Sequence, residues 1–305
     1  MCPGQGAQRV GMGKDLAERF PAARDTFAAI DDALDTRLSR LMWEGPEDEL
    51  TLTHNAQPAI LAHSAAVLAV IRQRLDSSGT AAAAGHSLGE YSAHVAAGTL
   101  SDVDAARLVR RRGELMLAAG QQRPGAMAVV LGLATSEVQS ACDESSGPDG
   151  LAVPANLNAP DQTVISGDPA GVSRAGERCK ARGAKRVIPL KVSGAFHSPL
   201  MAPAVDGLRE ALAGATFADP AYPIIANASG EAVRTGLDAK RLLADQLTAP
   251  VRWVACMQAA AELVPDGTFV EIGPGNVLSG LLKRIVPKAK AITLGTADEV
   301  ERFLA

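Results

Sequence analysis

Gly85-His86-Ser87-Leu88-Gly89, preceded by the small apolar run Thr80 to Ala84 and followed by Glu90 to Ala97, decides the fold. A short apolar run of this kind suits a buried strand, and the residues after Gly89 read as the first turns of a helix. Glycines on both sides of a serine let the chain turn sharply from strand to helix and push the hydroxyl out at the helix N-terminus. That arrangement suits a nucleophile. A serine hydroxyl needs a base that is neutral at working pH to take its proton. Phe196-His197-Ser198-Pro199 supplies a candidate: His197 follows a strand reading over 184–192. It precedes Ser198 and Pro199, which read as N-cap and first residue of a helix over 200–213. The positive end of that helix is expected to keep His197 neutral. The other four histidines read as structural: His54 and His63 in or beside a helix beginning near Pro58, His94 in the helix after Ser87, and His86 supporting the elbow.

Outward from the elbow, strands and helices alternate. Helices are expected over 24–34, 58–75, 101–117, 238–247, 253–263 and 277–285, with strands over 222–227, 268–272 and 289–294. Between them the order changes to strand 126–132, helix 135–144, strand 151–156, strand 162–166, helix 169–182 and strand 185–190. This β-α-β-β-α-β order is the split βαβ, or ferredoxin-like, pattern. Gly120 to Gly125 and Val192 to Gly194 mark its ends. The expected fold is therefore α/β: a large subdomain with a parallel sheet, residues 1–124 and 193–305, carrying an inserted small ferredoxin-like subdomain, residues 125–192. A cleft between the two is where a ligand would sit.

Composition narrows the function. The chain has 305 residues, 47% apolar but only 3% aromatic, with a net charge of −4. No positive excess is available for phosphate neutralisation, so nucleic acid is not an expected partner. Cys2, Cys142, Cys179 and Cys256 lack metal-ligand spacing and read as free thiols, and no metal is expected. No apolar run reaches the roughly 20 residues of a membrane span, and no signal peptide is read. A cytoplasmic, monomeric protein is expected. Arg112 stands out by periodicity: it falls on the same helix face as Leu108, Val109, Leu115 and Met116, whereas Arg110 and Arg111 point elsewhere. An inward arginine either pairs with an internal carboxylate or waits for an anionic substrate.

Several motifs carry a family resemblance: Pro3-Gly4-Gln5-Gly6-Ala7-Gln8, Gly85-His86-Ser87-Leu88-Gly89-Glu90-Tyr91-Ser92, Arg111-Arg112-Gly113, Gly125-Ala126-Met127-Ala128, Gly194 to Met201, and Glu271-Ile272-Gly273-Pro274-Gly275. Together they resemble the malonyl-CoA:acyl carrier protein transacylases, and also the acyltransferase domains of polyketide and fatty-acid synthases. The resemblance implies an α/β-hydrolase-like large subdomain. It implies Ser87 as nucleophile, His197 as base, and a main-chain carbonyl at Gln246 orienting the histidine. Gln5 and the Leu88 N–H would form the oxyanion hole, and Arg112 would grip the malonyl carboxylate. Leu88 and the Ala195-Phe196 pair match malonyl-selecting members, and Asn156 and Asn158 are expected in a small-subdomain loop lining the cleft. The implied partners are malonyl-CoA and holo acyl carrier protein, with coenzyme A thioester as substrate and no cofactor. Fatty-acid supply is the expected role, with polyketide supply or acyl-thioester hydrolysis as alternatives. Because the carrier is acidic as a class, Lys180, Arg182, Lys185, Arg186, Arg110 and Arg111 are docking candidates. Family members also carry an apolar strand ahead of Pro-Gly-Gln-Gly, where this sequence has only Met1-Cys2. Either the sequence starts inside a longer gene product or the sheet lacks that strand; the expectation is a truncated chain of reduced stability, with unpartnered backbone groups on the neighbouring strand and Gln5 freed from its anchor.

Overall fold

The computed structural model describes all 305 residues, Met1–Ala305, as helices packed on short sheets in a mixed α/β fold. Along the chain the strands are β1 Ala83–Ala84, β2 Ala126–Leu131, β3 Ala152–Ala159, β4 Gln162–Gly167, β5 Arg186–Pro189, β6 Ile224–Ile225, β7 Ala232–Val233, β8 Thr268–Ile272 and β9 Lys290–Leu294. They pair in the orders β1-β6-β7, β3-β4-β2-β5 and β8-β9.

The first two residues join the first and last of these sets. The Met1 amino group donates to Val270 O at 2.7 Å, and Ile272 N donates to Met1 O at 2.8 Å. On the other side Cys2 N donates to Ala84 O at 2.9 Å and His86 N to Cys2 O at 3.0 Å. Since β1 runs parallel to β6 and β8 to β9, with Cys2 bridging Gly85 in parallel, only β7 is antiparallel in the joined sheet. The expectation of a free Gln5 is thus corrected, and that of unpartnered neighbours is corrected only at the level of the elbow. Two residues reach both sides at the level of the elbow, and Thr53 Oγ1 donates to Gln5 Oε1 at 2.8 Å. Alongside Met1, an apolar groove of about 450 Å³ lies between Ala81–Ala84 on one side and Thr268–Val270 on the other.

The four-stranded set is antiparallel throughout. Helices Thr135–Ser145 and Pro169–Ala181 pack over it on a separate apolar cluster that includes Val130, Val138, Ile165 and Val172. The chain enters and leaves this layer side by side. A Cβ at Gly120 would lie 2.0 Å from Ser193 O, and one at Gly125 would lie 2.5 Å from Ala195 N, so both crossings require glycine. β3 runs on out of the layer, with Leu157 N donating to Val251 O at 2.9 Å and Val251 N to Ala155 O at 2.8 Å. Asn156 and Asn158 therefore lie on a strand, not on the expected loop.

The largest apolar core lies among helices Pro21–Leu34, Thr53–Arg72, Asp102–Gln122 and Ala202–Gly214. Helix Thr53–Arg72 starts ahead of Pro58, where a beginning was expected; the proline sits in its second turn and removes one main-chain bond near the end. Short helices Lys14–Arg19, Leu38–Glu44 and Glu47–Thr51, the final helix Ala297–Leu304 and β7 were not expected from the sequence. No helix is long and apolar enough to cross a membrane.

Candidate active site

The elbow forms because nothing larger than hydrogen fits at its corners. A Cβ on Gly85 would lie 1.8 Å from Gly89 O, and one on Gly89 would lie 2.2 Å from Cys2 O. Ser87 sits between them at φ 53°, ahead of helix Gly89–Ala96. His197 has φ 55°, so both residues hold the left-handed conformation that non-glycine residues rarely adopt. The two side chains meet: Ser87 Oγ is 2.7 Å from His197 Nε2, and His197 Nδ1 is 3.0 Å from Gln246 O. A carbonyl only accepts, so Nδ1 carries the proton and Nε2 presents its lone pair to the serine hydroxyl. Burial, and after it the charge of Arg112, pushes His197 down to about 3. The histidine is neutral for those reasons rather than because of a helix end. A short 3-10 turn, Pro199–Met201, separates it from helix Ala202–Gly214.

Arg112 is 1% exposed, as its helical position requires. Nη1 donates to Gln57 Oε1 at 2.6 Å, and Nη2 donates to Gln246 Oε1 at 3.0 Å and to Ser87 Oγ at 3.1 Å. All three acceptors are neutral, and its Nε is buried without a partner. Burial holds the guanidinium below its ordinary value, yet an arginine stays charged at any working pH. A buried cation with spare donors, touching the nucleophile, suits an anionic group on the substrate. Arg110 and Arg111 do point elsewhere, to Asn55 and Glu114.

The donors expected for an oxyanion are Leu88 N–H and the Gln5 amide. Leu88 N–H precedes the elbow helix and is given to no other group of the protein. With Gln5 Oε1 taken by Thr53, the Gln5 amide nitrogen remains as a donor. Gln57, which the sequence reading missed, links the two halves: its Nε2 donates to Thr53 Oγ1 at 3.0 Å while its Oε1 holds Arg112. An amide inside the apolar run Ala56 to Leu61 was the available signal. Asn227 was missed as well. Its Oδ1 accepts from Ser87 N at 2.7 Å and its Nδ2 donates to Gly85 O at 2.8 Å, clamping the elbow from β6 onward.

Other candidates stand further off. Asn158 Oδ1 accepts from His86 Nε2 at 2.8 Å, and the His86 ring meets Trp253 edge-on, so these support the elbow from behind. Asn156 is buried beside Val251 on β3, and Phe196 is buried in the main apolar core. Among the basic candidates, Lys180 pairs with Glu177, and Arg182 with Glu137 and Glu144. Lys185 and Arg186 are exposed.

Comparison with known proteins shows the family. The model of the acyl transferase domain family matches residues 1–298. The malonyl CoA-acyl carrier protein transacylase of Bacillus subtilis is 46% identical over 98% of this chain and 93% of its own. An acyl-carrier-protein-S-malonyltransferase from Bartonella henselae superposes with a TM-score of 0.95 at 44% identity, covering 99% of this chain and 96% of that one. A malonyl-transacylase solved with a type II polyketide synthase acyl-carrier protein gives a TM-score of 0.93 at 41% identity, over 99% and 97% of the two chains.

Proposed function

The chain belongs to the malonyl-CoA:acyl carrier protein transacylases of the acyl transferase family, and from that membership we propose that it moves a malonyl group from malonyl-CoA to the phosphopantetheine thiol of holo acyl carrier protein. The observation that carries the reading is the convergence on one oxygen. Ser87 Oγ lies 2.7 Å from His197 Nε2 and 3.1 Å from Arg112 Nη2.

In the first half-reaction Ser87 gives its proton to His197 Nε2 as Oγ attacks the thioester carbonyl, whose oxygen gathers charge facing Leu88 N–H and the Gln5 amide. Collapse expels coenzyme A, which leaves with the proton from His197, and a malonyl-serine ester remains. The carrier thiol then yields its proton to His197, attacks the ester and departs as malonyl carrier protein, and the proton returns to Ser87. Arg112 holds the free carboxylate throughout. Fatty acid biosynthesis in the cytoplasm is the role we assign, with the protein acting as a monomer.

We read residues 125–192 as an inserted ferredoxin-like subdomain and residues 1–124 with 193–305 as the α/β-hydrolase-like body. The strand order β3-β4-β2-β5 and the paired glycine crossings at the two ends support that division. Asn156, Asn158 and Phe196 would then line or back the acyl pocket, and the exposed pair Lys185 and Arg186 would meet the carrier.

Intact-protein mass spectrometry after mixing with malonyl-CoA tests the reading. A malonyl adduct that vanishes in Ser87→Ala and is discharged by holo carrier protein is expected. Steady release of free malonate without carrier would instead assign a hydrolase.

A further inference from the structure

Glu90 and Arg112, each 1% exposed, are two of the chain's three fully buried residues with a formal charge; the third, Glu271, caps helix Val277–Ile285. Glu90 has no cation in contact. Its Oε2 accepts from Gln246 Nε2 at 2.7 Å and from Asn227 N at 2.9 Å. A buried carboxylate held only by neutral donors costs several kcal/mol to keep charged. Such a group is usefully placed only if what it holds matters. Gln246 contacts three parts of the site at once: its Nε2 also reaches Ser87 O at 3.0 Å, its Oε1 holds Arg112, and its main-chain carbonyl holds His197. Asn227 is the clamp on the elbow.

We propose that Glu90 is a positioning residue for malonyl transfer: one carboxylate oxygen fixes Gln246 and Asn227 together and, through them, sets His197 and Arg112 against Ser87. This rests on the roles assigned to those three residues above. Glu90 is also the nearest buried counter-charge to Arg112, one amide away. When a substrate carboxylate reaches Arg112 a second anion enters the same network, so the charge state of Glu90 is tied to substrate binding. Burial pushes Glu90 up to about 7, while Asn227, Gln246 and Arg112 pull it down. The other titratable groups that feel its charge are Tyr91 on its own helix and Cys256 on helix Trp253–Leu263, both pushed up chiefly by burial and neutral at working pH. Protonating Glu90 weakens its grip on both amides.

Single-turnover acylation of Ser87 by malonyl-CoA, followed by intact mass from pH 5.5 to 8.5, tests this in wild type, Glu90→Gln, Gln246→Ala and the double variant. In wild type the rate should fall about tenfold per pH unit below a midpoint near 7, a single protonation. His197, titrating near 3, does not supply that midpoint. Glu90→Gln should lower the plateau at least about tenfold, flatten the profile and reduce the malonyl over acetyl preference. Because Glu90 acts in part through Gln246, the double variant should lose clearly less than the product of the two single losses. A wild-type profile flat across this range, an unchanged profile in Glu90→Gln, or additive losses would overturn the proposal. If Glu90→Gln does not fold, the wild-type profile and Glu90→Asp, which shortens the reach to Gln246, decide it by the same criteria. No adduct in wild type at any pH would instead sink the transacylase reading itself.

Discussion

Replacing Arg112 with alanine should exchange the substrate preference of the enzyme rather than abolish its chemistry. In the free site Nη1 and Nη2 already donate to Gln57, Gln246 and Ser87, all neutral, while Nε has no partner, so an acetyl group arriving there leaves the cation as it was. Selectivity must come from what malonyl gains. A planar fork meeting a carboxylate makes two charge-assisted bonds of about 1.5–3 kcal/mol each. Losing both should cost malonyl-CoA about 3–6 kcal/mol, roughly 10² to 10⁴ in kcat/KM at 1.4 kcal/mol per decade. Acetyl-CoA forfeits nothing of this kind. Two changes even favour it: Ser87 Oγ loses a donor that engages its lone pair, and His197 loses the cation that helps hold it down to about 3. Acetylation should therefore hold steady or rise by about a few-fold. The assay is single-turnover acylation of Ser87 with each thioester, read by intact mass, with Ser87→Ala as blank. If Arg112→Ala keeps its malonyl over acetyl ratio within tenfold of wild type, the arginine is not the carboxylate anchor.

Gln5→Ala should lower kcat by about 10² to 10³ with little change in KM, because the donor is needed only when charge develops; parallel losses in both constants would place Gln5 in ground-state binding instead. Exchanging Lys185 and Arg186 for glutamate should slow discharge to carrier protein at low salt and leave acylation by malonyl-CoA untouched, and equal discharge rates would remove them from the docking surface. Acid should unfold the protein steeply. Burial pushes His63 down to about 4 and His94 and His197 to about 3, so the unfolded chain takes those protons first as pH falls below 6.5. Glu90, pushed up to about 7, works the other way between there and its ordinary value of 4.5. The balance of about two protons makes stability fall by roughly 3 kcal/mol per pH unit from pH 6 to 4.5; urea midpoints that match at pH 7 and pH 5 would contradict it.

The parts of the fold legible in the sequence are those with strong local rules. Helices Trp253–Leu263 and Val277–Ile285 and strand β8 fall where periodicity puts them, because each carries an unbroken apolar pattern. The strand leading to the elbow is read as five residues but only Ala83–Ala84 pair regularly, since their partner β6 is itself two residues long. Helix Thr53–Arg72 begins without a side-chain cap, so nothing local marks its start and Pro58 draws attention instead. The final helix did carry a readable sign, the capping box of Thr296 and Glu299. Lys14–Arg19 and Glu47–Thr51 are too short for a period to show, and they are held by tertiary packing.

The site divides along the same line. Ser87 and His197 are legible because their chemistry demands a particular backbone, and glycine at 85 and 89 is the trace of that demand. Arg112 is legible as an inward charge but not as a free one, since periodicity reports which face a residue takes and not what waits there. Gln57, Asn227 and Glu90 leave no such trace. Each reaches its partner across a large separation in sequence, 55 residues from Gln57 to Arg112, 140 from Ser87 to Asn227 and 156 from Glu90 to Gln246. Their positions are fixed by the packing of helices around the elbow, so the residues that hold the nucleophile in place emerge only with the folded chain. That separation also has a consequence for variants. A substitution that loosens the packing of helix Asp102–Gln122 or shifts residue 246 should impair catalysis before it measurably unfolds the protein, because it moves the far ends of these bonds while leaving the elbow itself intact.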